Sequence, residues 1–136
     1  MRLLVDENIS KPATCALRNL IEKTRENAEI QHLLETSPVG ILDSEWLPKF
    51  QSQSEPWLVL TADMGKRSGG KRLPDICREL GIRHVLISGK LHQKRQFDKM
   101  RAILTVWPDL RTAFDSKPGS CFKLQQTNQS FSLKAA

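Results

Sequence analysis

The residues of this 136-residue chain best suited to chemistry are carboxylates placed where short apolar runs end. Leu3-Leu4-Val5 runs into Asp6-Glu7-Asn8, and Trp57-Leu58-Val59-Leu60-Thr61-Ala62 runs into Asp63. Between them, Asp43-Ser44-Glu45 opens a segment carrying Trp46, Leu47 and Phe50. Carboxylates that converge repel one another unless a cation lies between them. A purely oxygen ligand set selects Mg2+ or Mn2+, which keep several waters and bind phosphate oxygens as well. Such an ion activates water and neutralises charge on a phosphodiester under attack. Asp6, Glu45 and Asp63 therefore read as a catalytic, metal-holding set. The bland alternative is that strand ends and helix caps favour Asp and Glu in any case, and Asp43 in particular suits a helix N-cap.

Directly after Asp63 come Lys66, Arg67, Lys71 and Arg72 around Gly69-Gly70. The net charge of +6 is unevenly placed: residues 1–63 hold 6 basic and 10 acidic side chains, whereas residues 64–101 hold 11 and 3. A basic block can be a solvated face. One that follows a carboxylate-ended strand points instead to a polyanionic partner, and these four residues are the expected nucleic-acid contacts. The glycines lack the pattern of a nucleotide-triphosphate loop.

Positioning the carboxylates requires strands that end beside one another. The apolar run at 57–62, bounded by Pro56 and the basic turn, has the composition of a strand buried on both faces, and in open α/β sheets ligands sit at the carboxyl ends of such strands. The first strand is expected over Arg2–Val5 and the first helix over Lys11–Thr24, with Ser10 as N-cap and Pro12 in the first turn. A second strand is expected over residues 28–34, a short helix from Asp43 limited by Pro48, a helix over Leu73–Leu80 stopped by Gly81, and a strand over residues 83–88. His32 and His84 are expected to be structural. A helix over residues 93–106 should turn Phe97, Met100, Ile103 and Leu104 inward and close at Pro108. Cys121–Leu124 reads as a last strand, and residues 125–136 as a polar, flexible tail. The fold class is α/β, a three-layer α/β/α sandwich around a mostly parallel sheet of four to five strands, with a single domain over residues 1–124. Three widely spaced cysteines indicate neither a disulfide framework nor a zinc site, and with no run long enough to span a membrane the expected location is cytoplasmic.

The ordered set Arg2-Leu3-Leu4-Val5-Asp6-Glu7-Asn8, Asp43-Ser44-Glu45 and Leu58-Val59-Leu60-Thr61-Ala62-Asp63 resembles the PIN-like domains, over about residues 1–88. The family includes metal-dependent ribonucleases that act as toxins of bacterial toxin–antitoxin pairs. The resemblance implies an endoribonuclease, with Asp6, Glu45 and Asp63 holding Mg2+ or Mn2+ and with Asp43 and Glu7 as supporting acids. It also implies RNA as substrate, DNA being allowed, and an antitoxin as protein partner; a homodimer is a further allowed state. An antitoxin segment is expected to add to the strand at Cys121–Leu124. One departure stands out: PIN-like sequences often carry another acid shortly after the position of Asp63, and this chain has Met64-Gly65-Lys66-Arg67. Either the site is completed from elsewhere, with Asp43 one candidate, or the domain is a catalytically weak nucleic-acid- or antitoxin-binding module. A phosphoryl-accepting receiver shares the acidic pair after strand one and the Asp after strand three. It also needs a Lys ending a fifth strand, whereas Lys90 lies two residues after Ser88 with no strand between.

Overall fold

Along a strand, Leu3 and Val5 point to one face and Leu4 to the other, so burying all three demands helices on both sides. The computed structural model, which describes residues 1–51, 56–62, 71–128 and 130–136, has that arrangement. Strands β1 (Arg2–Val5), β2 (Glu29–His32), β3 (Leu58–Thr61), β4 (Arg83–Ile87), β5 (Cys121–Thr127) and β6 (Ser130–Ala135) form one sheet in the order β2-β1-β3-β4-β5-β6. The first five are parallel and β6 is antiparallel to β5. Leu3, Val5, Leu58, Leu60, Val85 and Ile87 pack on one side against helices α1 (Lys11–Thr24), α5 (Gln96–Thr105) and α6 (Trp107–Phe114). Leu4 and Val59 pack on the other side against α2 (Asp43–Gln51) and α3 (Leu73–Leu80), through Trp46, Leu47, Phe50, Leu73, Ile76 and Cys77. A short helix, α4 (Gly89–His92), follows β4. The α/β/α sandwich expected from sequence is therefore present, with six strands among the described residues rather than four to five.

The N-terminal elements begin and end for local reasons. Ser10 caps α1 by accepting from the Ala13 N–H at 3.1 Å, and Ala13, Thr14, Leu17 and Ile21 form its buried stripe. Gly81 ends α3 at φ 71°, a left-handed conformation that favours glycine. Pro48 lies well inside the nine-residue α2, where it has no N–H to give to the Ser44 carbonyl, and the helix ends three residues later.

Several expectations for the C-terminal half are corrected. Of the four side chains expected to face inward from α5, Ile103 is fully buried and Met100 packs against the core, but Phe97 is 73% exposed and Leu104 40%, and Lys99 and Ala102 are buried in their place. The stripe through Phe97 and Leu104 and the one through Lys99, Ala102 and Ile103 both have helical spacing, and packing against the sheet selects the latter. Pro108 closes α5 but also opens α6, in whose first turn its missing N–H costs nothing. Residues 125–136 are not a flexible tail: β5 continues to Thr127, and β6 pairs with it from Thr127↔Ser130 to Phe122↔Ala135. Phe131 and Leu133 alternate with Ser130, Ser132 and Lys134 and pack against the core, and the Arg101 guanidinium lies 5.5 Å over the Phe131 ring. Asn128, just after β5, has φ 56°, in the left-handed region that asparagine tolerates. Cys121–Leu124 is thus interior, and a partner strand cannot add there; the outer strands are β2 and β6.

Both buried histidines are structural. His32 Nε2 donates to the Ile9 carbonyl at 2.7 Å and Nδ1 accepts from the Leu34 N–H at 3.1 Å, which ties β2 to the loop after β1. His84 is fully buried, with Nε2 2.8 Å from the Thr61 hydroxyl, and burial pushes its pKa down to about 4. The unfolded chain takes up this proton near the ordinary value of 6.5, so between there and about pH 4 the unfolded state binds more protons and stability falls as pH falls. The full effect is on the order of 3 kcal/mol. Urea melts of the parent and His84→Gln at neutral pH and near pH 4 check this: the variant should lose part of the parent's acid sensitivity, and equal slopes would refute the assignment.

Candidate functional site

The strand order reverses direction of growth at β1 and β3: from β1 the chain moves outward to β2, then returns to place β3 on the other side. Helices that cover opposite faces diverge at such a point and leave a crevice beyond the strand ends. A cleft of about 300 Å³ lies there, with Asp6, Glu7, Asn8 and Asp43 on its polar side and Trp46 and Leu73 among its apolar walls.

Asp6 is the best-held acid of the cleft. It follows β1 directly, its N–H donates to the Leu60 carbonyl at 3.1 Å, and it is 7% exposed. Its two carboxylate oxygens accept from the Asn8 backbone N–H and the Asn8 side-chain amide, each at 3.1 Å. These bonds fix the carboxylate's orientation. Glu7 is exposed. Asp43 stands in the first turn of α2 rather than capping it, and its Oδ1 accepts from the Trp46 indole N–H at 3.0 Å. Trp46 is 1% exposed, so a rigid core side chain holds Asp43 at the rim.

Of the residues read from sequence as a metal set, Asp6 and Asp43 are brought to one cleft. Glu45 is exposed and does not line it: two residues beyond Asp43 on the same helix, it faces elsewhere. Asp63, Lys66 and Arg67 lie outside the described residues. Lys71 is exposed and paired with Glu79 at 2.7 Å, and Arg72 is exposed immediately before the cleft-lining Leu73. Among the described residues, no three of His, Cys, Asp and Glu are grouped closely enough to hold a metal together.

The sequence reading missed two residues of α5. Gln96 donates to the Asn8 carbonyl at 3.1 Å and accepts from the Ser10 N–H at 3.0 Å. Lys99, only 4% exposed, donates to the same Asn8 carbonyl at 3.3 Å. Burial lowers the pKa of this ammonium, and the Asp6 carboxylate nearby raises it. The available signal was a lysine three and four residues before Ala102 and Ile103, on the stripe that faces the sheet.

A carboxylate after β1, a second at the start of α2 and the crossover between β1 and β3 thus meet at one cleft. The model of the PIN-like domain matches residues 1–89, about two thirds of the chain. The chain belongs to the PIN-like domain family. No curated protein and no solved structure gives a match. PIN-like domains are generally nucleases that bind nucleic acid and use divalent metals. The matched region carries β1 to β4 and Asp6, Glu7 and Asp43 of the cleft; α5, with Gln96 and Lys99, lies beyond it. None of the described helices is long and apolar enough to cross a membrane.

Proposed function

We propose that this PIN-like domain is a metal-dependent endoribonuclease. The observation that carries the reading is the meeting of Asp6 and Asp43 in one cleft at the β1/β3 crossover. The donor set suits Mg2+ or Mn2+, since the acids of the cleft and Asn8 offer oxygen and no sulfur or imidazole. Asp6 and Asp43 would hold the ion, Asp63 would join them from the segment after β3, and Glu45 would add negative charge at the rim. When bound, the ion supplies Lewis-acid activation of water and charge neutralisation at phosphate. The chain's own work is positional. Asn8 orients Asp6, Trp46 orients Asp43, and Lys66, Arg67, Lys71 and Arg72 steer the phosphodiester backbone towards them.

The finer form of this proposal is a toxin held by an antitoxin, with an antitoxin strand adding to one of the outer strands, β2 or β6. A second reading, a domain that binds RNA and cuts it poorly, is favoured by Met64-Gly65-Lys66-Arg67 standing where many PIN-like chains have a further acid. The receiver reading loses further support, because β5 carries Lys123 in mid-strand and ends on Gln125-Gln126-Thr127.

One experiment separates the first two readings: single-stranded RNA and DNA pools, with Mg2+ or Mn2+ titrated, followed by calorimetry and by gel. The nuclease requires metal-dependent cleavage of RNA. Binding without cleavage at saturating metal would hand the case to the binding module. A variant with Lys66, Arg67, Lys71 and Arg72 all changed to Ser should bind RNA more weakly, with the slope of log K against log salt reduced by about 0.7 for each phosphate the variant no longer neutralises. Unchanged binding at low salt would make the basic block a solvated face.

A further inference from the structure

Helix α5 lies outside the family match, yet two of its side chains converge on the loop that carries Asp6. The Asn8 carbonyl receives two donors from it, Gln96 Nε2 at 3.1 Å and Lys99 Nζ at 3.3 Å. Gln96 Oε1 also takes the Ser10 N–H at 3.0 Å, beside the cap of α1. Asn8 in turn gives two hydrogen bonds to the Asp6 carboxylate. Each link is short and direct, so the helix controls where Asn8 sits, and Asn8 controls where the Asp6 oxygens point. Burying an ammonium is costly unless something requires it, and among the described residues Lys99 is one of the most deeply buried charged groups. Held on the Asn8 carbonyl, whose residue bonds the Asp6 carboxylate twice, it brings a positive charge to the loop that carries Asp6.

We infer that Gln96 and Lys99 are positioning residues for the site, Gln96 clamping the Asp6–Ser10 loop and Lys99 providing a built-in countercharge that keeps the cleft formed before a cation arrives. The countercharge role rests on the metal-dependent reading above; the clamp does not. A built-in cation opposes a second one, so the site trades metal affinity for preorganisation. This gives the lysine a signature that plain structural support lacks: removing its charge should tighten metal binding, whereas loosening the loop should weaken it.

The test uses the full chain and two readouts. In metal-free protein, hydrogen exchange of Gln96→Ala should speed the Ser10 amide about fivefold or more, with core amides of β1 and β3 unchanged. Equal protection of Ser10 in parent and variant overturns the clamp. By calorimetry with Mg2+ and Mn2+ alone, Lys99→Met should bind on the order of tenfold more tightly, while Lys99→Arg stays near the parent. Should the methionine variant not fold, Lys99→Gln carries the same expectation. Unchanged or weaker affinity in the neutral variant overturns the countercharge. A parent chain that binds no divalent cation overturns the proposed function and the countercharge together, and the exchange result still decides the clamp.

Discussion

Asp6→Asn is expected to lower divalent-cation affinity and metal-dependent RNA cleavage by ~100-fold or more, while the protein stays folded. Losing even an outer partner of a metal ligand costs about 10–100-fold, and a buried ligand that gives up its charge should cost at least as much. The stability effect should be smaller. Asparagine keeps one oxygen for the Asn8 N–H but turns an amide towards the Asn8 side-chain amide, so one of the two bonds that hold Asp6 is lost, at about 1 kcal/mol. The change also leaves the Lys99 ammonium with the Asn8 carbonyl and without its nearby carboxylate. Calorimetry with Mn2+, a gel assay on single-stranded RNA and a thermal melt on the same preparations decide the matter. If Asp6→Asn binds metal and cuts as the parent does, the cleft is not the site; if it fails only because it melts, Asp6 is a structural acid.

That Asp6 could be singled out from sequence, and Lys99 could not, has a physical basis. Strand β1 is a short apolar run whose three inward positions are filled whichever helix covers them, and its last residue is followed at once by the acid. Helix α1 announces itself through Ser10, Pro12 and a single apolar stripe, and its bounds of Lys11–Thr24 agree with expectation. Helix α5 offers two stripes, and the one with the larger apolar residues, through Phe97 and Leu104, is the one that faces water. Only the sheet and the loop after β1 decide between them, and the bond from Lys99 to Asn8 spans 91 residues. The C-terminal hairpin was hidden for a related reason. Residues 125–136 are poor in apolar side chains overall, but Phe131 and Leu133 fall on one face of a strand, and pairing with β5 supplies the rest. Within α2 the same kind of context operates. Asp43 and Glu45 are equally acidic in sequence, and the packing of Trp46 turns the first of them to the cleft.

Trp46 joins the core to the site, so its substitutions should separate folding from chemistry. Its side chain is 1% exposed, meets the Phe50 ring edge-on at 5.9 Å between centroids and walls the cleft. Trp46→Ala empties that volume between α2 and the sheet, and a truncation of this kind costs about 3–5 kcal/mol. For a domain of this size that is a large fraction of the total stability, so the alanine variant should melt well below the parent or fail to accumulate. Trp46→Phe keeps an aromatic ring against Phe50 and removes the indole N–H that Asp43 accepts at 3.0 Å. It should cost about 1–2 kcal/mol, chiefly from the smaller ring and the missing hydrogen bond. Asp43 is then held less firmly at the rim, and divalent-cation affinity should fall about threefold to tenfold as its orientation loosens. Parent, Trp46→Phe and Asp43→Asn should be compared by urea melts and metal calorimetry in one buffer. Affinity falling in both variants, with only Trp46→Phe losing stability, places Asp43 in the metal set and Trp46 behind it. If Asp43→Asn leaves affinity untouched, Asp43 is no ligand, and the second carboxylate of the site has to be sought in the segment after β3.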